Sequence, residues 1–248
     1  MSKYFFIPFA VIYKIWFLLY FVGTMVLLYP FFRILLSRKK WFPLVFKLKK
    51  FWAQLLCIGG GVMYEATYEA ALDTKKKYIF CCNHSSYFDI ILSYCVLENY
   101  FVFMGKKELE KVPLFNIFFK EMNILVDRKS NMGSHKAFMR AGVELDAGNS
   151  IIIFPEGTIS REAPKLRPFK NGAFRLAIDK QVEIVPITYT NAWKRLQDMP
   201  FLQGKAGPGK VGVFVHAPIS TVGLTEANQD ELKQQVRNII ESKLKEND

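Results

Sequence analysis

The run Tyr78-Ile79-Phe80-Cys81-Cys82 constrains this chain more than any other stretch. It is apolar throughout and rich in strand formers, so it reads as a short buried strand. It ends at Asn83-His84-Ser85-Ser86-Tyr87-Phe88-Asp89, and the apolar run Ile90 to Leu97 that follows is long enough for a buried helix. A strand feeding a helix through a polar corner is the unit of an open α/β sheet, and sites in such sheets form at the carboxyl ends of strands. Asp89 lies about one helical turn beyond His84. Its carboxylate can fold back onto Nδ1 of the imidazole, fix the tautomer and leave Nε2 free as a base. In isolation, an Asp at this spacing would be read as a helix cap and the His as a polar strand end.

The rest of the chain repeats the alternation. Strands are expected over Val62 to Tyr68, Tyr100 to Met104, Ile124 to Val126, Ser150 to Phe154, Ile184 to Tyr189 and Val211 to Val215. Helices are expected over Leu114 to Phe119, Ser134 to Ala147 with Ser134 as its cap, Gly172 to Lys180, and Thr225 to Lys245. Gln203 to Lys210, rich in Gly and Pro, reads as a loop. The fold expected is α/β, a mixed and mostly parallel sheet flanked by helices, with an N-terminal membrane-embedded helical segment. Gly59-Gly60-Gly61 divides a two-helix anchoring segment, residues 1–60, from a catalytic domain, residues 61–248.

The N-terminal segment is set apart by composition. Residues 4 to 36 are nearly all apolar, and Ile15 to Phe32 carries no charge, marginally long enough to cross ~30 Å of hydrocarbon. A single spanning anchor is the plain expectation and a helix embedded in one leaflet its rival; Pro8, Lys14 and Pro30 weaken the spanning case somewhat. The first 60 residues hold nine Lys and Arg and no acidic residue, which is nine of the net +12. Cations beside a long apolar run point to an anionic bilayer surface, not to nucleic acid. The basic flank Arg38-Lys39-Lys40 predicts that the remainder faces the cytoplasm, on the inner membrane of a bacterial cell. Trp41 to Ile58 shows Trp41, Leu44, Val45, Leu48, Trp52, Leu55 and Leu56 at helical steps, with Lys47, Lys49 and Lys50 largely opposite, so it lies in the interface plane or packs on the catalytic domain. Cys57, Cys81, Cys82 and Cys95 have no metal or disulfide spacing and read as reduced core residues; no metal ligand set is apparent. His135 and His216, with no carboxylate at a matching step, read as structural.

Four ordered stretches carry a resemblance: Asn83 to Asp89, Ile124-Leu125-Val126-Asp127-Arg128, Phe154-Pro155-Glu156-Gly157-Thr158, and Ile184-Val185-Pro186-Ile187. Over roughly residues 50 to 220 the chain resembles the glycerolipid acyltransferases related to 1-acylglycerol-3-phosphate acyltransferase. The resemblance implies transfer of a fatty acyl group from an acyl thioester to a lysolipid hydroxyl, lysophosphatidic acid first among the acceptors and another lysolipid second. It implies His84 and Asp89 as the catalytic pair, Lys106, Arg128, Glu156, Gly157 and Thr158 as substrate-binding residues, and direct attack by the acceptor rather than a Ser85 or Ser86 intermediate, in keeping with the lack of a nucleophile elbow. No cofactor is implied beyond the donor, acyl-CoA or acyl carrier protein, the latter then also a protein partner. Lys106 and Arg128 end strands; were these parallel neighbours, both cations would converge on the rim of His84. One departure stands out: the family often has Arg after the Thr158 position, where this chain has Ile159, and Arg161 or Arg167 is the candidate replacement. The rival of another class is a noncatalytic lipid-binding protein of the same fold. Activity lost in His84→Ala with membrane binding retained separates the two.

Overall fold

The computed structural model describes residues 3–246. One seven-stranded sheet forms the centre, in the order β1-β7-β6-β2-β5-β3-β4. Its strands are β1 (Val62–Tyr68), β2 (Ile79–Cys82), β3 (Phe101–Lys106), β4 (Ile124–Val126), β5 (Ser150–Ile153), β6 (Ile184–Thr190) and β7 (Gly209–Val215). Only β6 and β7 pair antiparallel; every other neighbour is parallel. The helices are α1 (Lys3–Leu36), α2 (Phe42–Gly59), α3 (Phe88–Val96), α4 (Ile117–Glu121), α5 (Asn131–Asp146), α6 (Gly172–Lys180) and α7 (Gln229–Glu246).

The strand β2 lies mid-sheet and is buried at all four positions. Helices cover both of its faces, so neither parity of side chain meets water. Phe80 and Cys82 point into a core shared with α1 to α4, while Ile79 and Cys81 join α5, α6 and α7 on the other side. The four cysteines are free and buried.

α1 is continuous over 34 residues in spite of Pro8 and Pro30. By length and composition its stretch Pro8–Leu36, of mean hydropathy 2.0, is the one helix among the described residues able to cross a membrane. One side of it packs on the domain along its length. Tyr13 donates to Gly60 O at 2.8 Å, the Phe17 ring lies 4.9 Å from Phe88, Trp52 Nε1 donates to Thr24 at 2.9 Å, and Phe32 meets Phe118 edge-on at 4.8 Å. Lys14 is buried and donates to the carbonyls of Phe201 and Gln203. The opposite side leaves Ile12, Leu19, Val26, Leu27, Phe31 and Ile34 exposed. The tight crossing of α1 and α2 needs Gly59, since a Cβ there would lie 2.2 Å from the Tyr20 ring.

Several expectations are corrected. α2 takes the second of its two expected placements, packed on the domain in the core of α1, α3 and the sheet, but its buried face differs from the one expected. Phe46 and Lys49 are buried, while Leu44 is exposed. Lys49 is enclosed because α1, α3 and α4 surround α2; its Nζ sits 4.5 Å from the Phe118 ring and 5.6 Å from Tyr94. Burial pushes its ammonium down to about 7. α5 starts earlier than Ser134: Ser130 is the cap, its hydroxyl accepting from Gly133 N at 3.1 Å. The loop expected to run to Lys210 gives way to β7 at Gly209, because β1 pairs with it from its first residue, Val62. A short 3₁₀ turn, Lys107–Lys111, follows β3 and was not anticipated.

Candidate active site

His84 leaves the carboxyl end of β2 and Asp89 opens α3. The imidazole Nδ1 lies 3.0 Å from Asp89 Oδ2, the same oxygen that accepts from Ser85 N at 2.6 Å and Ser86 N at 2.8 Å. Asp89 is fully buried. Converging main-chain donors at the start of α3 make a carboxylate tolerable there. A carboxylate can only accept, so Nδ1 carries the proton toward it and Nε2 is left as the basic nitrogen. Nε2 makes no hydrogen bond among the described residues. Beneath the pair, Ser93 Oγ donates to Asp89 O at 2.7 Å or engages the Tyr189 hydroxyl, also at 2.7 Å. Asn83 ties the end of β2 to β6, its amide donating to Tyr189 O and its carbonyl accepting from Tyr189 N.

The second stretch reaches the same corner because β5 is the neighbour of β2. The Phe154 ring stacks on the His84 ring with centroids 3.9 Å apart and planes 16° apart, and Phe103 stacks behind Phe154. The sequence reading gave Phe154 no part. Glu156 is buried and spans the corner: Oε1 accepts from His84 N at 2.7 Å and Oε2 from Arg167 N at 2.9 Å. Ser160 N donates to His84 O at 2.8 Å, so both main-chain polar groups of His84 are held from the loop after β5. The sequence reading expects Glu156 to bind substrate; in the fold both of its oxygens hold backbone, the arrangement of a positioning residue. Gly157 takes φ +75°, where a side chain is strained and where a Cβ would also meet Lys170. Thr158 is exposed beside it.

The two cations are held differently. β3 and β4 are parallel neighbours as supposed. Arg128 donates from its guanidinium to Gly157 O, which brings it to the rim of the corner. Lys106, the last residue of β3, pairs with Glu108 at 3.4 Å, and the charge of the same Glu108 also reaches Arg128. Of the candidate replacements for the missing Arg, Arg161 is engaged elsewhere, whereas Arg167 stands at the corner, where its charge reaches Glu156. Arg161 Nε stands 4.0 Å from Asp198, while Arg167 offers its main-chain N–H to Glu156 and its carbonyl to Arg237. Neither serine hydroxyl contacts His84. Ser86 Oγ donates to Leu196 O, and Ser85 Oγ is buried without a partner among the described residues. His216, expected to lack a carboxylate, has one from far away in sequence: Nδ1 lies 2.7 Å from Glu69 Oε1 and Nε2 2.9 Å from Thr188 Oγ1.

Burial pushes the Glu156 carboxyl up to about 7 from an ordinary 4.5, with the two backbone donors pulling the other way. The folded protein therefore holds this proton more tightly than the unfolded chain. The stability this gives is fully present below pH ~4.5 and is lost as pH rises through 7. Glu156→Gln should flatten that part of the profile of Tm against pH. It should also lower kcat by ~10–10²-fold with little change in either KM, since one backbone tie of His84 or Arg167 is lost. A variant with the wild-type pH slope and wild-type kcat contradicts the positioning role.

Comparison with known proteins gives a consistent picture. A family model described as Acyltransferase matches residues 65–190, just over half of the chain. The chain is 29% identical over 175 residues to a 1-acyl-sn-glycerol-3-phosphate acyltransferase of Haemophilus influenzae, covering 70% of each protein. It is also 29% identical over 190 residues to the Escherichia coli protein of the same name, covering 76% of this chain and 75% of that one. A crystal structure titled as the 1-acyl-sn-glycerophosphate acyltransferase PlsC from Thermotoga maritima superposes with a TM-score of 0.81 at 20% identity, over 96% of this chain and 95% of that one.

Proposed function

The chain belongs to the Acyltransferase family, and from that premise we propose that it is a membrane-bound enzyme moving a fatty acyl group from an acyl thioester to the free hydroxyl of 1-acylglycerol-3-phosphate, giving phosphatidic acid. That it is an acyltransferase follows from the family; the donor, the acceptor and the membrane are the proposal. The observation that carries it is the His84–Asp89 pair at the carboxyl end of β2, with Nε2 open and Arg128 at the rim. Nε2 takes the proton of the acceptor hydroxyl as its oxygen attacks the thioester carbonyl. The tetrahedral intermediate then expels the thiolate, which receives that proton from His84. Asp89 holds the imidazolium that exists between these steps, and Phe154 keeps the ring in plane. Arg128 meets the acceptor phosphate, and Gly157 and Thr158 line its approach. Purified protein offered a panel of lysolipids with acyl-CoA and with acyl carrier protein tests the reading. Phosphatidic acid from neither donor would sink it.

A second acceptor is favoured by one observation: Ile159 stands where the family often has Arg, and Arg161 faces Asp198 instead. A lysolipid with a bulkier head group would use that space. Ile159→Arg should then lower activity on the bulky acceptor, and be neutral or lower KM on lysophosphatidic acid. The reverse pattern contradicts both readings.

Membrane placement rests on α1. Its inner side is packed along the domain, so a spanning pose would drag the sheet into hydrocarbon. The exposed row Ile12, Leu19, Leu27 and Ile34 suits immersion in one leaflet, on the cytoplasmic face of a bacterial inner membrane. Leu19→Glu with Leu27→Glu should abolish vesicle binding without opening the core, because both side chains point away from the domain. The basic N-terminal residues should make wild-type binding stronger on anionic vesicles and weaker in salt. Binding unchanged in the double variant would remove α1 as the anchor.

A further inference from the structure

We infer that the edge of the sheet holds a second phosphate site, separate from the catalytic corner, that takes the head group of an anionic phospholipid in the bilayer; this rests on the membrane reading above. A cavity of about 210 Å³ lies between β4, α5 and the turn after α1, with Lys39, Lys136 and Arg140 around it and Asn123, Ile124 and Ala137 in its walls. No described carboxylate lines it. Arg140 shares part of its guanidinium with Glu144 at 2.6 Å, whereas Lys39 and Lys136 have no partner among the described residues. Three cations facing one small cavity repel each other, and an anion seated among them relieves that repulsion. The volume suits a phosphate group. The cavity takes the start of β4, Asn123 to Leu125, whereas Arg128 lies two residues beyond that strand's carboxyl end and is not in the lining, so it is not the acceptor pocket.

Two further features favour a lipid over soluble phosphate as the source. Met132, Lys136, Met139, Arg140 and Val143 fall on one stripe of α5, and the three apolar members are 68%, 56% and 59% exposed. Apolar side chains interleaved with cations are the pattern of a surface that rests on head groups. Lys39 also stands three residues past the carboxyl end of α1, whose Phe31 and Ile34 are exposed, so the cavity lies beside one end of the anchor.

The test uses full-length protein, with Lys136→Ala, Lys136→Glu and Lys39→Glu/Lys136→Glu as pocket variants. Lys75→Glu, in the exposed turn before β2, matches the charge change of Lys136→Glu, and Lys75→Glu/Lys76→Glu, held to the same limits, matches that of the double variant. One arm measures partition onto phosphatidylcholine vesicles with and without phosphatidylglycerol; the other measures binding of inorganic phosphate to detergent-solubilised protein. The double pocket variant should partition at least ~10-fold less onto anionic vesicles, and the pocket variants should lose phosphate binding. Lys75→Glu should change either readout by less than ~2-fold, and turnover of a detergent-dispersed acceptor should be unchanged throughout. Phosphate binding lost with partition unchanged keeps the site but overturns the lipid as its source. Pocket variants indistinguishable from Lys75→Glu in both arms overturn the inference. Wild-type protein that ignores all vesicles is a failure of the membrane reading instead, and the phosphate arm still judges the pocket.

Discussion

His84→Ala should lower turnover by at least ~10²-fold, and Asp89→Ala should do nearly the same, because the two act as one unit. The imidazole supplies the proton transfer. Asp89 supplies its orientation through the 3.0 Å contact to Nδ1. The same carboxylate oxygen also holds Ser85 N and Ser86 N, so its removal additionally loosens the corner on which His84 stands. Asp89→Asn is the cleaner variant. It keeps the volume but can present an amide N–H to Nδ1, which would favour the wrong tautomer. The double variant His84→Ala/Asp89→Ala should be little worse than the worse single variant, since once the base is gone there is nothing left to orient. Steady-state kinetics on the four variants checks this. Multiplying effects would mean that Asp89 acts independently of His84.

The second large effect is expected at Arg128. A phosphomonoester acceptor brings a charge near −2, and the guanidinium at the Gly157 carbonyl is a cation at the rim of the catalytic corner. Hydrogen bonds to a charged group are worth ~1.5–3 kcal/mol. Arg128→Ala should therefore raise the acceptor KM by ~10–100-fold and leave the donor KM nearly unchanged. Arg128→Lys should recover only part, for want of the two-pronged fork. Lys106→Ala should have a smaller effect, because Lys106 is paired with Glu108 while the Arg128 guanidinium reaches the Gly157 carbonyl. Equal losses at the two positions would contradict this division, and a rise in donor KM alone would move Arg128 to the thioester side.

The parts that could be read from sequence were local ones. Asp89 is within one helical turn of His84, and the apolar runs on either side fix a strand before it and a helix after it. The sheet followed from the same logic, since runs such as Ile79 to Cys82 are apolar on both parities and demand cover on both faces. What escaped depends on contacts made at long range. Glu156 takes its duty from backbone N–H groups at positions 84 and 167, which no side-chain pattern announces. The stacking of Phe154 on His84 requires β5 beside β2 in a particular register. Lys49 falls on the basic side of a helical wheel, yet α2 is enclosed by α1, α3 and α4 and has no solvated side at that point. His216 looked unpaired because Glu69 is 147 residues away.

Direct transfer through His84 is tested most plainly by measuring thiol release from the acyl thioester with and without 1-acylglycerol-3-phosphate, using enzyme at substrate-like concentration. The predicted result is no thiol above background without acceptor, and with it one phosphatidic acid formed per thiol released. A stoichiometric burst of thiol in the absence of acceptor, with the acyl group retained on the protein, would contradict it.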